Sequence, residues 1–246
     1  VQTLDADGAR SFGSGAAIAY HGRIVVFTAS HVVRDARRVW VRDTAGRWHA
    51  AGVVARSEWD VALLQPFGEG PFVPAKLAYR ASESDAAGTV FRPGDRLDSC
   101  GFGPDDRLAV NHGTFLRYAR RNPADTVTDW LVLTGAARQG DSGGPVFNSR
   151  GELVGILWGT DGRTVVATQC GRLHVVLREA MGDEGREAGD EESVTGNRAA
   201  SCDLNSGGPR SVVAANDHTN NNGSSTNRLV PVSYPTVAPL GESRLL

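Results

Sequence analysis

The apolar residues of this chain come in short, β-branched runs, and that spacing limits the fold more than any other feature. "GAAIAY", "RIVVFTAS", "RVWVRD", "AGVVAR", "DVALLQP", "DWLVLTG", "GPVFN", "ELVGILWG" and "TVVATQC" follow one another, most of them separated by Gly, Asn, Asp or Pro. Such runs suit strands and are too short for helices that bury a face. "AYHGRIVVF" reads as two strands around a His-Gly turn. Helical periodicity is confined to "SHVVRDARR", a single turn, and "LHVVLREAM", a terminal helix. Many short strands at this spacing predict an all-β barrel or sandwich.

The pattern stops near residue 181. Beyond it "GDEGREAGDEESVTGNRAA" is acidic and "NDHTNNNGSSTN" is polar, with almost no large apolar side chains. Too little surface can be buried there to offset the entropy of ordering, so 182–246 is expected to be a disordered tail or linker. The folded part is 1–181. With 26 basic and 28 acidic residues the net charge is −2, which gives no electrostatic basis for nucleic-acid binding. No apolar run approaches the roughly 20 residues of a bilayer span. Cys100, Cys170 and Cys202 lie far apart without metal-ligand spacing, so neither a metal nor another cofactor is expected. A Cys100–Cys170 disulfide is compatible with the sequence and required by nothing in it. The chain opens on Val1 with no leader pattern and is expected to be a processed segment.

Within "RQGDSGGPVFNSRGELVGILWG", Ser142 is enclosed by Gly140, Gly143 and Gly144. The G-x-S-x-G match suggests a nucleophile elbow, but that turn needs a helix immediately after the serine. Gly144, Pro145 and a β-branched run follow instead. The other order places histidine and aspartate upstream. His31 ends the apolar run "FTASHVV" and Asp60 begins "DVALLQP", so both stand at strand junctions where a rigid scaffold can hold them at one cleft.

On Thr28-Ala29-Ser30-His31, Asp60-Val61-Ala62-Leu63-Leu64 and Gly140-Asp141-Ser142-Gly143-Gly144-Pro145, with Gly155 to Gly159 behind them, the chain resembles the chymotrypsin-like serine proteases. The resemblance covers roughly residues 10–180. "GSGAAI", the compact loops, and Val32 after the histidine in place of cysteine are similar to the bacterial HtrA-type and RNA-virus branches. It implies two six-stranded antiparallel β-barrels, one over about 10–80 and one over about 85–178, with a short C-terminal helix. It implies that Ser142 attacks the scissile carbonyl, His31 moves the proton and Asp60 orients the imidazole. Gly140 and Ser142 would supply the N–H groups of the oxyanion hole.

For the substrate pocket the resemblance points to Ala136 and Ala137 on one wall and to Leu157, Trp158 and Gly159 on the other. Ala136 stands where trypsin-like members carry aspartate, so an apolar P1 residue such as Leu, Val or Ala is expected. Asp141 has two readings: an ion pair with Val1, or a local loop acceptor, the second favoured because Gln2-Thr3-Leu4 rather than glycines follow Val1. The expected activity is that of a monomeric serine endopeptidase acting on polypeptide, including its own precursor, in viral polyprotein processing in a host cytoplasm. The alternatives are a secreted or periplasmic bacterial HtrA-like protease and an inactive binding module on the same fold.

Overall fold

The computed structural model describes residues 1–78, 91–121 and 128–182. The expected tail therefore lies, from residue 183 onward, outside the described residues. Among the described residues, two antiparallel sheets and one C-terminal helix make up the structure. The first sheet holds β1 (Gln2–Asp5), β2 (Arg10–Phe12), β3 (Ala16–Tyr20), β4 (Arg23–Ala29), β5 (Ala36–Arg42), β6 (Trp48–Arg56) and β7 (Val61–Pro66). Its order is β2-β1-β5-β6-β7-β4-β3. The second holds β8 (Arg96–Phe102), β9 (Leu108–Ala119), β10 (Trp130–Thr134), β11 (Pro145–Asn148), β12 (Leu153–Thr160) and β13 (Thr164–Gln169). It closes on itself as β10-β13-β12-β11-β8-β9.

The closed six-stranded barrel matches the expectation for the second half. The first sheet differs: it has seven strands, is not closed, and starts at Gln2, ahead of the expected start near residue 10. The extra strand is β2, a three-residue exposed segment returned against β1 by the turn at Gly8, where φ is 81°. The β3–β4 hairpin turns at His21 (φ 47°) and Gly22 (φ 71°). Two positive φ angles give the tight turn whose twist matches the flanking strands.

Helix α1 (Cys170–Met181) presents Leu173, Val176 and Leu177 on one face, the spacing that helical geometry requires. These side chains pack with Ile18, Phe27, Val61 and Leu63 from the first sheet and Leu153 and Ile156 from β12. The helix thus closes the seam between the sheets, each fully buried aliphatic side chain contributing about 1.5–3 kcal/mol. It ends at Gly182, whose N–H donates to the Arg178 carbonyl at 3.0 Å with φ 79°. Residues 75–78 bind both sheets: Ala75 N–H donates to Ala17 O, Ala78 N–H to Leu153 O, and Leu153 N–H to Lys76 O. Cys100 and Cys170 are buried thiols, and Cys202 lies outside the described residues.

Candidate active site

Strands β4 and β7 are neighbours, and their register sets Ala29 opposite Val61. His31 follows β4 in a 3₁₀ turn (Ser30–Val33) and Asp60 immediately precedes β7, so pairing of the strands brings the two residues together. The Asp60 carboxylate holds the histidine twice. Its Oδ1 accepts from the His31 backbone N–H at 2.8 Å, and its Oδ2 lies 2.6 Å from Nδ1. A carboxylate only accepts, so the shared proton sits on Nδ1 and the lone pair of the neutral ring is on Nε2. The Asp60 carbonyl also accepts from Ser30 N–H at 3.0 Å. Asp60 adopts φ 59°, a left-handed conformation rare for a residue with a Cβ.

That conformation is braced from the second half of the chain. The Thr168 hydroxyl of β13 donates to the Trp59 carbonyl. The Arg172 guanidinium of α1 lies 4.4 Å from the Trp59 ring centroid and pairs with the buried carboxylate of Asp129 at 2.6 Å.

Ser142 lies in the turn between β10 and β11, flanked by Gly140 (φ 91°) and Gly143 (φ 87°). Gly143 has no room for a side chain: a Cβ there would stand 2.3 Å from both the Ser14 carbonyl oxygen and the Thr28 hydroxyl, and 2.9 Å from Ala29 N. The serine turn therefore abuts the end of β4, just before His31. Gly143 N–H donates to Leu157 O at 2.7 Å, and Leu157 N–H to Gly144 O at 2.8 Å, which lashes the turn to β12. Among the described residues, no acceptor takes the N–H of Gly140 or of Ser142. These two donors, on either side of Asp141, are left without a partner in a turn that is otherwise tightly held. A direct Ser142–His31 hydrogen bond is not among the contacts of the described residues; such bonds are often long before substrate enters.

Asp141 is a local acceptor. Its carboxylate takes Arg138 N–H at 2.7 Å and pairs with the Arg138 guanidinium at 3.1 Å, while the Val1 nitrogen is bound to Gly13 O at 2.8 Å. Of the expected pocket residues, Ala136 is exposed and Ala137 packs against the barrel core. Leu157 points its side chain into that core and serves the site through its backbone. Trp158 packs on Ala29, Val32, Val166 and Trp130, the first two of which flank Ser30 and His31 in the chain. At Gly159 a Cβ would meet nothing within 4 Å, so open space lies beside the backbone there. Sequence reasoning gave no role to Ser14, Arg138, Trp130 and Arg172, and named Thr28 only as part of the histidine motif; all of them pack or bond around these residues. Among the described residues, no cluster of His, Cys, Asp or Glu could hold a metal ion, and no helix is long and apolar enough to cross a membrane.

Residues 13–156 match the trypsin-like peptidase domain family. A probable periplasmic DegP-like serine endoprotease of Ectopseudomonas mendocina is 34% identical over 149 residues, which are 60% of this chain and 29% of that protein. The chain thus spans less than a third of the length of such curated relatives. Among solved structures, a protease of Mycobacterium tuberculosis in its active form is similar with a TM-score of 0.59 and 22% identity, over 73% of this chain and 78% of the other. The serine endoprotease of Yersinia pestis is similar with a TM-score of 0.58 and 22% identity, over 74% of this chain and 62% of the other. At that identity the likeness concerns the fold.

Proposed function

Because this chain belongs to the family of trypsin-like peptidase domains, we propose that it is an active serine endopeptidase whose triad is His31, Asp60 and Ser142. The observation that carries this reading is the double grip of Asp60 on His31 beside the glycine-flanked turn of Ser142. Ser142 Oγ attacks the peptide carbonyl while Nε2 of His31 accepts its proton and later returns it to the leaving amine. Asp60 fixes the tautomer and stabilises the imidazolium that forms. The N–H groups of Gly140 and Ser142 receive the oxyanion, each donor worth a factor of about 10²–10³ in kcat.

The polyprotein reading gives way to its bacterial alternative. The similarity lies with bacterial periplasmic serine endoproteases, which favours an HtrA-like protease acting on polypeptide chains in a bacterial envelope. The small side chains of Ala136 and Ala137, and the open space at Gly159, support an apolar P1 preference for Leu, Val or Ala. A peptide library cut mainly after Arg, Lys or Gln would refute that preference.

A fluorophosphonate probe tests the triad directly. The parent chain is expected to be labelled at Ser142, whereas Ser142→Ala and His31→Ala give no labelling and lower kcat by at least about 10⁴-fold. Labelling that persists in Ser142→Ala would overturn the assignment. Loss of labelling in the parent chain itself would favour a binding module without activity.

A further inference from the structure

Ser14 lies between β2 and β3, 2% exposed, and uses every polar group it has on or beside the serine turn. Its backbone N–H donates to the Ser142 carbonyl at 2.7 Å. Its hydroxyl donates to the Gly140 carbonyl at 2.8 Å and accepts from Phe102 N–H at 2.8 Å. Its own carbonyl accepts from the Thr28 hydroxyl at 2.7 Å. The direction of the hydroxyl bond is forced. Phe102 N–H can only donate, so the oxygen accepts from it, and the single hydroxyl proton goes to Gly140.

We propose that Ser14 is a positioning residue that holds the two oxyanion donors, Gly140 N–H and Ser142 N–H, in their catalytic orientation. This rests on the reading of those N–H groups as the oxyanion hole. The carbonyls of the same two residues are what Ser14 ties down, and each carbonyl shares a rigid peptide plane with the following N–H. The Ser142–Gly143 plane is pinned at both ends, by Ser14 N–H on its oxygen and by Leu157 O on its nitrogen. The Gly140–Asp141 plane is pinned by the Ser14 hydroxyl on its oxygen and by Arg138 O on its nitrogen at 3.1 Å. The Ser142 N–H sits in the plane between these two, whose Asp141 carbonyl accepts from Gly144 N–H at 2.9 Å. The Gly140 N–H sits in the plane just before Gly140–Asp141, so fixing both planes narrows the freedom of each donor.

The tie is needed because of the glycines. Gly140 permits the φ of 91° that the turn demands, and the same permissiveness makes a peptide flip cheap. Without the hydroxyl, two groups lose their partners at once, the Gly140 carbonyl and the Phe102 N–H. A carbonyl left unpaired in a buried place is destabilising, and rotation of its glycine peptide toward another donor relieves that cost. Rotation would break the bond from Asp141 N–H to Arg138 O and change the torsions at Gly140 and Asp141, which set the directions of the donors before and after this plane. Ser14 belongs to the first half of the molecule and the serine turn to the second, so the hydroxyl also makes the oxyanion site depend on the docking of the two.

The test compares Ser14→Ala and Ser14→Cys with the parent chain. The cysteine variant keeps the side-chain shape and replaces the hydroxyl by a weak donor and acceptor. Both are expected to lower kcat on a peptide amide by on the order of tenfold or more, short of the full loss of a donor, with KM changed less than about twofold. Affinity for a peptide boronate, whose tetrahedral adduct occupies the oxyanion site, is expected to fall by the same factor, while affinity for the product peptide holds. A kcat and a boronate affinity within about twofold of the parent in the folded variants would overturn the proposal, the cysteine variant deciding if the alanine variant does not fold. So would a parallel loss of product-peptide affinity, which marks general damage to the site. Turnover that survives Ser142→Ala would instead overturn the triad reading, whatever the Ser14 variants do.

Discussion

At Gly140 the backbone stands at φ 91°, and a Cβ there would come within 2.5 Å of the Phe102 carbonyl oxygen. Neither strain has an easy relief, because Phe102 is part of β8 and its N–H is committed to Ser14. Gly140→Ala is therefore expected to displace the turn and cut kcat by about 10²–10³-fold, the loss of one oxyanion donor. Steady-state kinetics with thermal unfolding as a control checks this, and a variant with kcat near the parent would show that the turn tolerates the shift. Gly159→Ala is a contrasting case: a methyl group there meets no protein atom within 4 Å. Its expected outcome is an unchanged Tm with a raised KM, since the added carbon protrudes into the open space proposed for the P1 side chain. His31, Asp60, Gly140 and Ser142 were legible because a reactive side chain at a strand junction, or a glycine beside one, interrupts an otherwise apolar pattern. Ser14 was not legible: a serine between two glycines reads as turn filler. The bond that gives it meaning reaches a residue 126 positions away.

The elements divide in the same way. The β3–β4 hairpin, the short turn at His31 and the terminal helix were readable because local chemistry alone determines them. β8 and β9 were not. β9 runs twelve residues, "LAVNHGTFLRYA", with only Gly113 and Phe115 buried, so its sequence carries little apolar signal and its pairing with β8 supplies the order. The β11–β12 hairpin shows how polar groups fix such an element. Burial disfavours the charged Glu152 carboxylate, yet the Asn148 amide at 2.9 Å, Arg150 at 2.8 Å and Lys76 at 3.1 Å outweigh it. They hold its pKa at about 2 against an ordinary 4.5. A depressed carboxylate contributes stability that is fully present above the unfolded value and lost as pH falls toward the folded one. Glu152→Gln is accordingly expected to lower Tm by about 2–4 °C at pH 7. The gap should close between pH 4.5 and about 2. Equal pH profiles for parent and variant over that range would remove Glu152 from the stability of the hairpin.

For the whole molecule, the decisive fact is that the proposed triad is split, with His31 and Asp60 on the first sheet and Ser142 on the second barrel. Catalytic geometry then depends on how the two halves seat against each other, and the seat is the cluster that Leu173, Val176 and Leu177 form with Phe27, Leu63 and Ile156. The braces on Trp59 from Thr168 and Arg172 act across the same seam. Sequence periodicity predicted a terminal helix, yet no local pattern says which surface a helix covers, so its part in the site emerged only from packing. Two matched deletions separate stability from seating. Leu97→Ala removes a fully buried leucine from the core of the second barrel, and Leu173→Ala removes one from the seam. Each is expected to cost about 2–5 kcal/mol in unfolding free energy. Cavities in a barrel's own core leave its rim in place, whereas a cavity in the seam lets one half tilt against the other. Leu173→Ala should therefore lose kcat several-fold beyond Leu97→Ala at a temperature where both are folded, because misplacement of reacting groups by about 1 Å costs on the order of 10²-fold. Urea unfolding matched with single-turnover kinetics decides it. Equal kcat in the two variants would mean that the halves are held by the braces and the Ser14 hydrogen bonds alone, with the apolar seam serving stability only.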